Sequence, residues 1–425
     1  MVHRYYLKCP SCGKIYQLKI QVDRNFYIYD LPISIECIDC NDILEYTYSS
    51  KSGLNPKPFS IEAPKDQSVK TTAIGYSATL PITEDVYMKD LDGTESMLFF
   101  SMFMNLLRGH FSDVEIKKYD SFIIRVQDNI LTYRKALKAL YPILKKGNVD
   151  AYFRKMATVF DEKVSKKQFG HTDMMEHFFD MVSCCHANLS TSYYTTQIAA
   201  PFIAPISQKI EGLSPDEAIE LKNALDTPRK MSEWYKSEAL PYISKMMANI
   251  EKLMPAMIYS SVGEDNPLNR GKLLIVTISL DDALDFYAEG LETFAHGLHI
   301  LCGLDNYLST GDVNSFHNQS AKGIASIDGF SKLSIGLMAD KIEDNIPLRR
   351  YLNGSMQHKV RNANEHNGID YDSKTQHIIC HYDFKDENKI FELDLIELCH
   401  MNYIQLLHIM EITLLARKIV SKASK

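Results

Sequence analysis

The chain has 425 residues, 45% of them hydrophobic and 24% charged, with no long low-complexity tract and no clear internal repeat. That excludes a disordered or fibrous chain and leads to an expectation of two or three globular domains. A net charge of −7 excludes a protein coated in positive charge, so any contact with nucleic acid must come from a local basic patch.

Residues 1–50 alternate β-rich runs, at 15–22, 26–31 and 43–48, with two cysteine pairs, Cys9-Pro-Ser-Cys12-Gly13 and Cys37-Ile-Asp-Cys40-Asn41. A two-residue spacing suits a tight turn. Two such turns can gather four thiolates into a tetrahedron around a borderline-soft cation, leaving no coordination position open to water. This first unit, 1–50, resembles a zinc ribbon. Zinc is therefore the expected cofactor, in a structural role, because binding supplies folding free energy to a unit too small to bury a core. An iron–sulfur or redox dithiol role for Cys9, Cys12, Cys37 and Cys40 is the alternative. The remaining cysteines, Cys184, Cys185, Cys302, Cys380 and Cys399, are expected to act as small buried apolar residues in a reducing compartment. Cys184-Cys185-His186 follows Phe178, Phe179, Met181 and Val182 and reads as core, not as a ligand cluster.

The segment 51–92 reads as a linker or extended covering segment, since Pro56, Pro58 and Pro64 sit there among many polar residues. From 93 to 260 the pattern is helical, with no chemical signature that assigns a role. Apolar residues at 126, 130, 133, 137, 140 and 144 predict a helix stopped by Gly147-Asn148, and further helices are expected over 151–164, 173–189, 214–225 and 241–254. Ser214-Pro215-Asp216-Glu217 combines a hydroxyl cap, a proline at the first helical position and a carboxylate three residues after the cap. His171, Asp173, Glu176 and His177 lack the spacing of a zinc hydrolase helix and read as a solvated or capping segment.

The third region, 271–425, opens with a helix capped at Ser279, followed by a second over 330–342, an interruption at Pro347 and a third helix carrying Arg361. A β-hairpin is expected from runs at 369–371, 378–384 and 390–393. The final helix, 395–420, looks apolar on nearly all sides, which predicts burial at the centre of this domain and a contact with a second copy. His296, His299, His400 and His408 lie in strongly apolar helix and are expected to be packed and hydrogen-bonded. The most hydrophobic run, 97–107, is far shorter than the roughly 20 residues that span a bilayer, and no N-terminal signal pattern is visible, so the expectation is a soluble cytoplasmic protein with no membrane contact.

One stretch carries candidate chemistry. Arg349, Arg350, His358 and Lys359 approach Arg361-Asn362-Ala-Asn-Glu-His366 without an intervening carboxylate, which suits the binding of an anionic substrate. Histidine titrates near neutral pH, and a guanidinium keeps its charge and can hold two phosphate oxygens. Together they meet the minimal needs of metal-independent phosphodiester cleavage. Convergence of Arg361 and His366 requires the helix to end near Asn364 and the chain to turn at Asn367-Gly368.

Arg361-Asn362-Ala-Asn-Glu-His366 resembles the Arg-x(4 to 6)-His motif of HEPN domains, and the resemblance extends over about 279–420. It implies a C-terminal HEPN-like bundle bearing a β-hairpin insertion; with the cysteine pairs and the helical periodicity, the expected fold is mainly α, with an N-terminal β zinc ribbon and a central helical domain. It further implies an endoribonuclease of the abortive-infection or toxin type, needing no metal for catalysis and assembled as a homodimer through the C-terminal domain. Its cuts would leave a 2′,3′-cyclic phosphate, and a phage or regulatory trigger is the implied further partner. Arg361 would stabilise the transition-state phosphate, His366 would serve as general acid or base, and Asn362 would orient one of them. Some members of the family are non-catalytic, so a nucleic-acid-binding or partner-binding protein is the alternative.

Overall fold

The computed structural model describes residues 2–21, 30–49, 53–55, 60–61, 71–76, 82–83, 88–91, 112–161, 169–227, 229–261, 273–352, 354–383, 385–386 and 388–424. These residues are mostly helical, with small β-sheets near each end of the sequence. The run at 97–107 lies outside them, as do residues 26–29 of an expected strand and 162–164 of an expected helix.

The strands are β1 (Val2–Lys8), β2 (Ile15–Gln21), β3 (Asp30–Glu36), β4 (Ile43–Ser49), β5 (Gly53–Asn55), β6 (Ser60–Ile61), β7 (Thr71–Tyr76), β8 (Ile82–Thr83), β9 (Met88–Leu91), β10 (Leu273–Leu274), β11 (Ile369–Asp372), β12 (His377–His381) and β13 (Ile390–Asp394). The helices are α1 (Asp113–Lys145), α2 (Val149–Phe160), α3 (His171–Leu189), α4 (Ala200–Gly212), α5 (Pro215–Leu225), α6 (Met231–Trp234), α7 (Leu240–Ala248), α8 (Ile250–Leu253), α9 (Leu280–Thr310), α10 (Ile327–Ser331), α11 (Ile335–Lys341), α12 (Ile346–Leu352), α13 (His358–Glu365) and α14 (Leu395–Lys422). Two π-helical segments, Tyr194–Ala199 and Tyr235–Ala239, precede α4 and α7.

Packing divides the chain into two compact units, each assembled from three stretches. The first holds Met1–Asp128, Asn249–Tyr287 and Lys359–Tyr403; the second holds Asn129–Ala248, Ala288–His358 and Ile404–Lys425. These stretches cut across the segments 93–260 and 271–425 read from composition, because a core is shared by helices distant in sequence while composition reports only what is local.

In the first unit, β1 and β2 form an antiparallel hairpin at the centre of a sheet ordered β6-β1-β2-β7-β9, with β2 and β7 parallel. A second sheet, β3-β4-β5, contains the other N-terminal hairpin. Residues 51–92, expected as a linker or an extended covering segment, contribute four of these strands, β5, β6, β7 and β9. The C-terminal sheet is a three-stranded antiparallel array, β11-β12-β13, one strand more than a simple hairpin. Residues 275–276 connect the sheets. Ser34 N–H donates to Val276 O at 2.9 Å, while the buried Gln376 amide accepts from Ile275 N–H at 2.8 Å and donates to Ile275 O at 2.6 Å.

The second unit is helical. Gly297 on α9 lies under Trp234, where a Cβ would come within 2.8 Å of Cε2, and the indole N–H donates to Thr293 O at 3.0 Å. The caps follow local chemistry: Ser214 Oγ accepts from Glu217 N–H and Glu217 Oε2 from Ser214 N–H, at 3.3 and 2.7 Å, and Asn148 caps α2. The expected helix over 330–342 is instead two, α10 and α11, because Ser334 Oγ accepts from Leu337 N–H and restarts the chain as a new helix. Pro347 does not interrupt a helix. It lies in the first turn of α12, where its missing N–H has no helical partner to lose, while Asn345 Oδ1 takes the N–H of Leu348 at 3.2 Å.

Candidate functional site

The two cysteine turns sit at the ends of the β1–β2 and β3–β4 hairpins and have matching backbones. Cys9 N–H donates to Lys14 O and Gly13 N–H to Cys9 O, at 2.8 and 2.9 Å; Cys37 N–H donates to Asp42 O and Asn41 N–H to Cys37 O, at 2.9 and 2.8 Å. Gly13 (φ +81°) and Asn41 (φ +59°) occupy the left-handed position each turn requires. The four Sγ atoms of Cys9, Cys12, Cys37 and Cys40 all lie within 4.8 Å of one another, with Cys9–Cys40 at 3.6 Å and Cys12–Cys37 at 3.5 Å. Tetrahedral bonds of about 2.3 Å separate two sulfurs by about 3.8 Å, so this donor set fits one metal ion with little movement.

Residues that the spacing did not single out hold the turns together. Ser11 Oγ donates to Asp42 Oδ2 at 2.6 Å, and Lys14 pairs with Asp39 at 3.6 Å, each tying one turn to the other. The Tyr16 hydroxyl accepts from Ile38 N–H at 3.0 Å and donates to Cys37 Sγ at 3.1 Å. Burial opposes ionisation of Cys37, but hydrogen bonds from Tyr16 and from backbone N–H groups outweigh it and draw the thiol down to about 7, toward the thiolate that binds metal. Among the described residues this is the one cluster of three or more His, Cys, Asp or Glu side chains able to hold a metal.

Helix α13 carries Val360 and Ala363 inward and leaves Arg361 and Asn362 half-buried. Its end is a Schellman turn: Gly368 N–H donates to Ala363 O at 2.8 Å and Asn367 N–H to Asn364 O at 3.3 Å, with Asn367 at φ +53°. Gly368 is needed because a Cβ there would lie 2.5 Å from His381 O. The helix ends at Glu365, close to Asn364, and the turn falls where Asn367-Gly368 indicated; His366 N–H closes the last turn by donating to Asn362 O at 3.2 Å. His366 is exposed just past the helix end, and Arg361 is paired with Glu365 at 2.7 Å.

The expected substrate-binding residues are distributed over both units. Arg349 and Arg350 are exposed on α12 and His358 packs beside Gly336, all in the second unit. Lys359 belongs to the first, with Nζ 4.9 Å above the Tyr382 ring and 5.8 Å above Phe391.

Helix α14 departs from its expected character. It is buried along most of its length, but Asn402, Gln405, His408 and Glu411 form a buried polar row at three-residue spacing. Glu411, in the second unit, is a hub: Oε2 accepts from the hydroxyls of Tyr351 at 2.5 Å and Tyr194 at 3.0 Å, and Oε1 lies 3.0 Å from His186 Nε2. The π-helical turn supplies Tyr194. Burial raises the carboxyl, but His186, His408 and Tyr351 outweigh it and hold Glu411 below its ordinary value. His408 stacks near Tyr351 at 4.3 Å, lies 3.2 Å from Ser355 Oγ and is pushed down to about 4 by burial. The sequence signal was the row itself, four polar residues three apart between Asn402 and Glu411, with only apolar residues between them.

His299 and His400 are packed and bonded, to His296 O and Ser260 Oγ. His296 is not packed away: its side chain is 56% exposed and pairs with Glu238 at 2.8 Å, which raises its affinity for a proton. Asp173 caps α3 through Gly170 N–H at 2.7 Å, whereas His177 leaves the solvated role and bonds Tyr152. Cys185 is core, as its apolar setting indicated, and His186 is the partner of Glu411.

Compared with protein families, curated proteins and solved structures, the chain matches none. Among the described residues no helix is long and apolar enough to cross a membrane.

Proposed function

We propose that the protein is a metal-independent endoribonuclease of the HEPN type, used in anti-phage defence or as a toxin, with a structural zinc ion in its N-terminal ribbon. The observation that supports this reading is the end of α13, where an Asn-Gly turn leaves His366 exposed at the cap of the helix that carries Arg361 and Asn362. The motif occurs once in the chain and Arg361 is engaged by Glu365, so the composite site takes a second copy, with His366 of one chain beside Arg361 of the other. In that arrangement His366 exchanges the proton of the ribose hydroxyl or the leaving oxygen, Arg361 leaves Glu365 to hold the phosphate, and Asn362 orients one of them. Four thiolates leave zinc no open position, so the ion supplies folding free energy and the chemistry belongs to the side chains.

The test is total RNA incubated with wild type, Arg361→Ala and His366→Ala, with and without chelator, followed by analysis of the ends. Cleavage in chelator that leaves 2′,3′-cyclic phosphate and is lost in both variants is expected; cleavage that survives both changes refutes the assignment. The Arg361–Glu365 ion pair favours a second reading, in which α13 is a structural helix and the protein binds nucleic acid or a partner without cutting. Under it no variant alters RNA integrity.

A further inference from the structure

The second unit contains a charged face that the candidate ribonuclease site does not use. Between Asp128 and Asp150 the sequence holds Arg134, Lys135, Lys138, Lys145 and Lys146 and no carboxylate, in a chain whose net charge is −7. Lys135, Lys138 and Lys145 lie on α1 and Lys146 immediately follows it; all four are exposed. At 100° per residue, Lys135, Lys138 and Lys145 fall within an arc of roughly 80°, extending along about 15 Å of helix. The opposite side carries Ala136, Leu137, Leu140 and Leu144, all buried. Among the described residues none of the four ammonium groups has an ion-pair partner.

A solvated helix gains a few tenths of a kcal/mol from each carboxylate–lysine pair three or four residues apart, and like charges at that spacing cost a similar amount. The helix dipole favours Lys145 and Lys146 at the C-terminal end of α1, but stability alone does not favour Lys135 and Lys138, three residues apart on the same face with no carboxylate between Asp128 and Asp150. An anionic partner does, and two kinds present repeated phosphates, nucleic acid and lipid. Lipid binding by a basic helix also inserts an apolar face. Here that face is buried in the unit, and among the described side chains of α1 the exposed large apolar ones, Val114 and Ile124, lie outside the lysine run.

We propose that Lys135, Lys138, Lys145 and Lys146 form a docking surface for the phosphodiester backbone of nucleic acid. It reads charge and spacing without contacting bases, so binding is sequence-tolerant and salt-dependent. Four single-strand contacts give a slope of log K against log salt of roughly −3, or about a 50-fold loss of affinity between 50 and 200 mM salt.

The experiment is fluorescence anisotropy with a labelled 2′-O-methyl RNA 20-mer. This probe lacks the ribose hydroxyl nucleophile, so binding is read whether or not the protein cuts RNA. Full-length wild type is compared with K135Q/K138Q/K145Q/K146Q and with the matching quadruple Lys→Arg variant. The Gln variant is expected to bind at least tenfold more weakly, with a slope flatter by about 3, and the Arg variant to bind like wild type. An unchanged slope in the Gln variant overturns the proposal, as does absence of RNA binding at 50 mM salt, with or without binding to vesicles containing phosphatidylserine. A protein that binds this probe and never cleaves ordinary RNA refutes the ribonuclease reading and leaves the docking surface standing.

Discussion

Tyr351→Phe tests whether the Glu411 hub holds the second unit together. The change removes one hydroxyl and keeps the ring, which Phe202 stacks at a centroid distance of 5.1 Å, so packing is preserved and the lost hydrogen bond is isolated. A hydrogen bond to a charged acceptor contributes about 1.5–3 kcal/mol. At about 2 kcal/mol, a unit of this size should melt roughly 4–8 °C lower, measurable by calorimetry or circular dichroism. Tyr194 donates to the same oxygen, Oε2, and so can compensate in part. Tyr194→Phe/Tyr351→Phe should therefore cost more than the sum of the single changes, by at least about 0.5 kcal/mol, because only the double variant leaves that oxygen without either hydroxyl. There is also a pH signature. Glu411 has a folded pKa below its ordinary value of 4.5, so its contribution is complete above that value and is lost as pH falls through the lower folded value. Glu411→Gln should remove this acid dependence while being less stable at neutral pH. A Tyr351→Phe variant within 0.5 kcal/mol of wild type, together with additive single changes, would refute the reasoning (the threshold being roughly the usual error of additivity).

The purified protein should carry one zinc ion per chain, counted by elemental analysis. Replacement by cobalt should give the absorption of a tetrahedral four-thiolate centre, and Cys37→Ser should lose both the metal and the ordered β1–β4 hairpins. Gly368→Ala should cost about 1–3 kcal/mol, because its Cβ meets the His381 carbonyl and the chain must move. Denaturant titration measures that cost; a neutral result would show that the close approach of α13 to β12 is not needed.

Local chemistry was legible in the sequence. Two-residue cysteine spacings, the capping box at Ser214 and the Asn367-Gly368 turn depend on atoms a few residues apart, and each appears where its residues indicated. Tertiary structure decided what depends on residues far away. Asp42 meets Ser11 across the two cysteine turns, α14 turns a row of four polar residues into the core, and Glu411 gains partners from three other elements more than 200 residues upstream and 60 upstream. A buried charge is stable only where hydrogen bonds and opposite charges from several distant groups offset its desolvation, and such a meeting leaves little trace in any window of sequence. The cysteine turns carry their instructions within five residues, whereas the Glu411 hub exists only once the helices have packed.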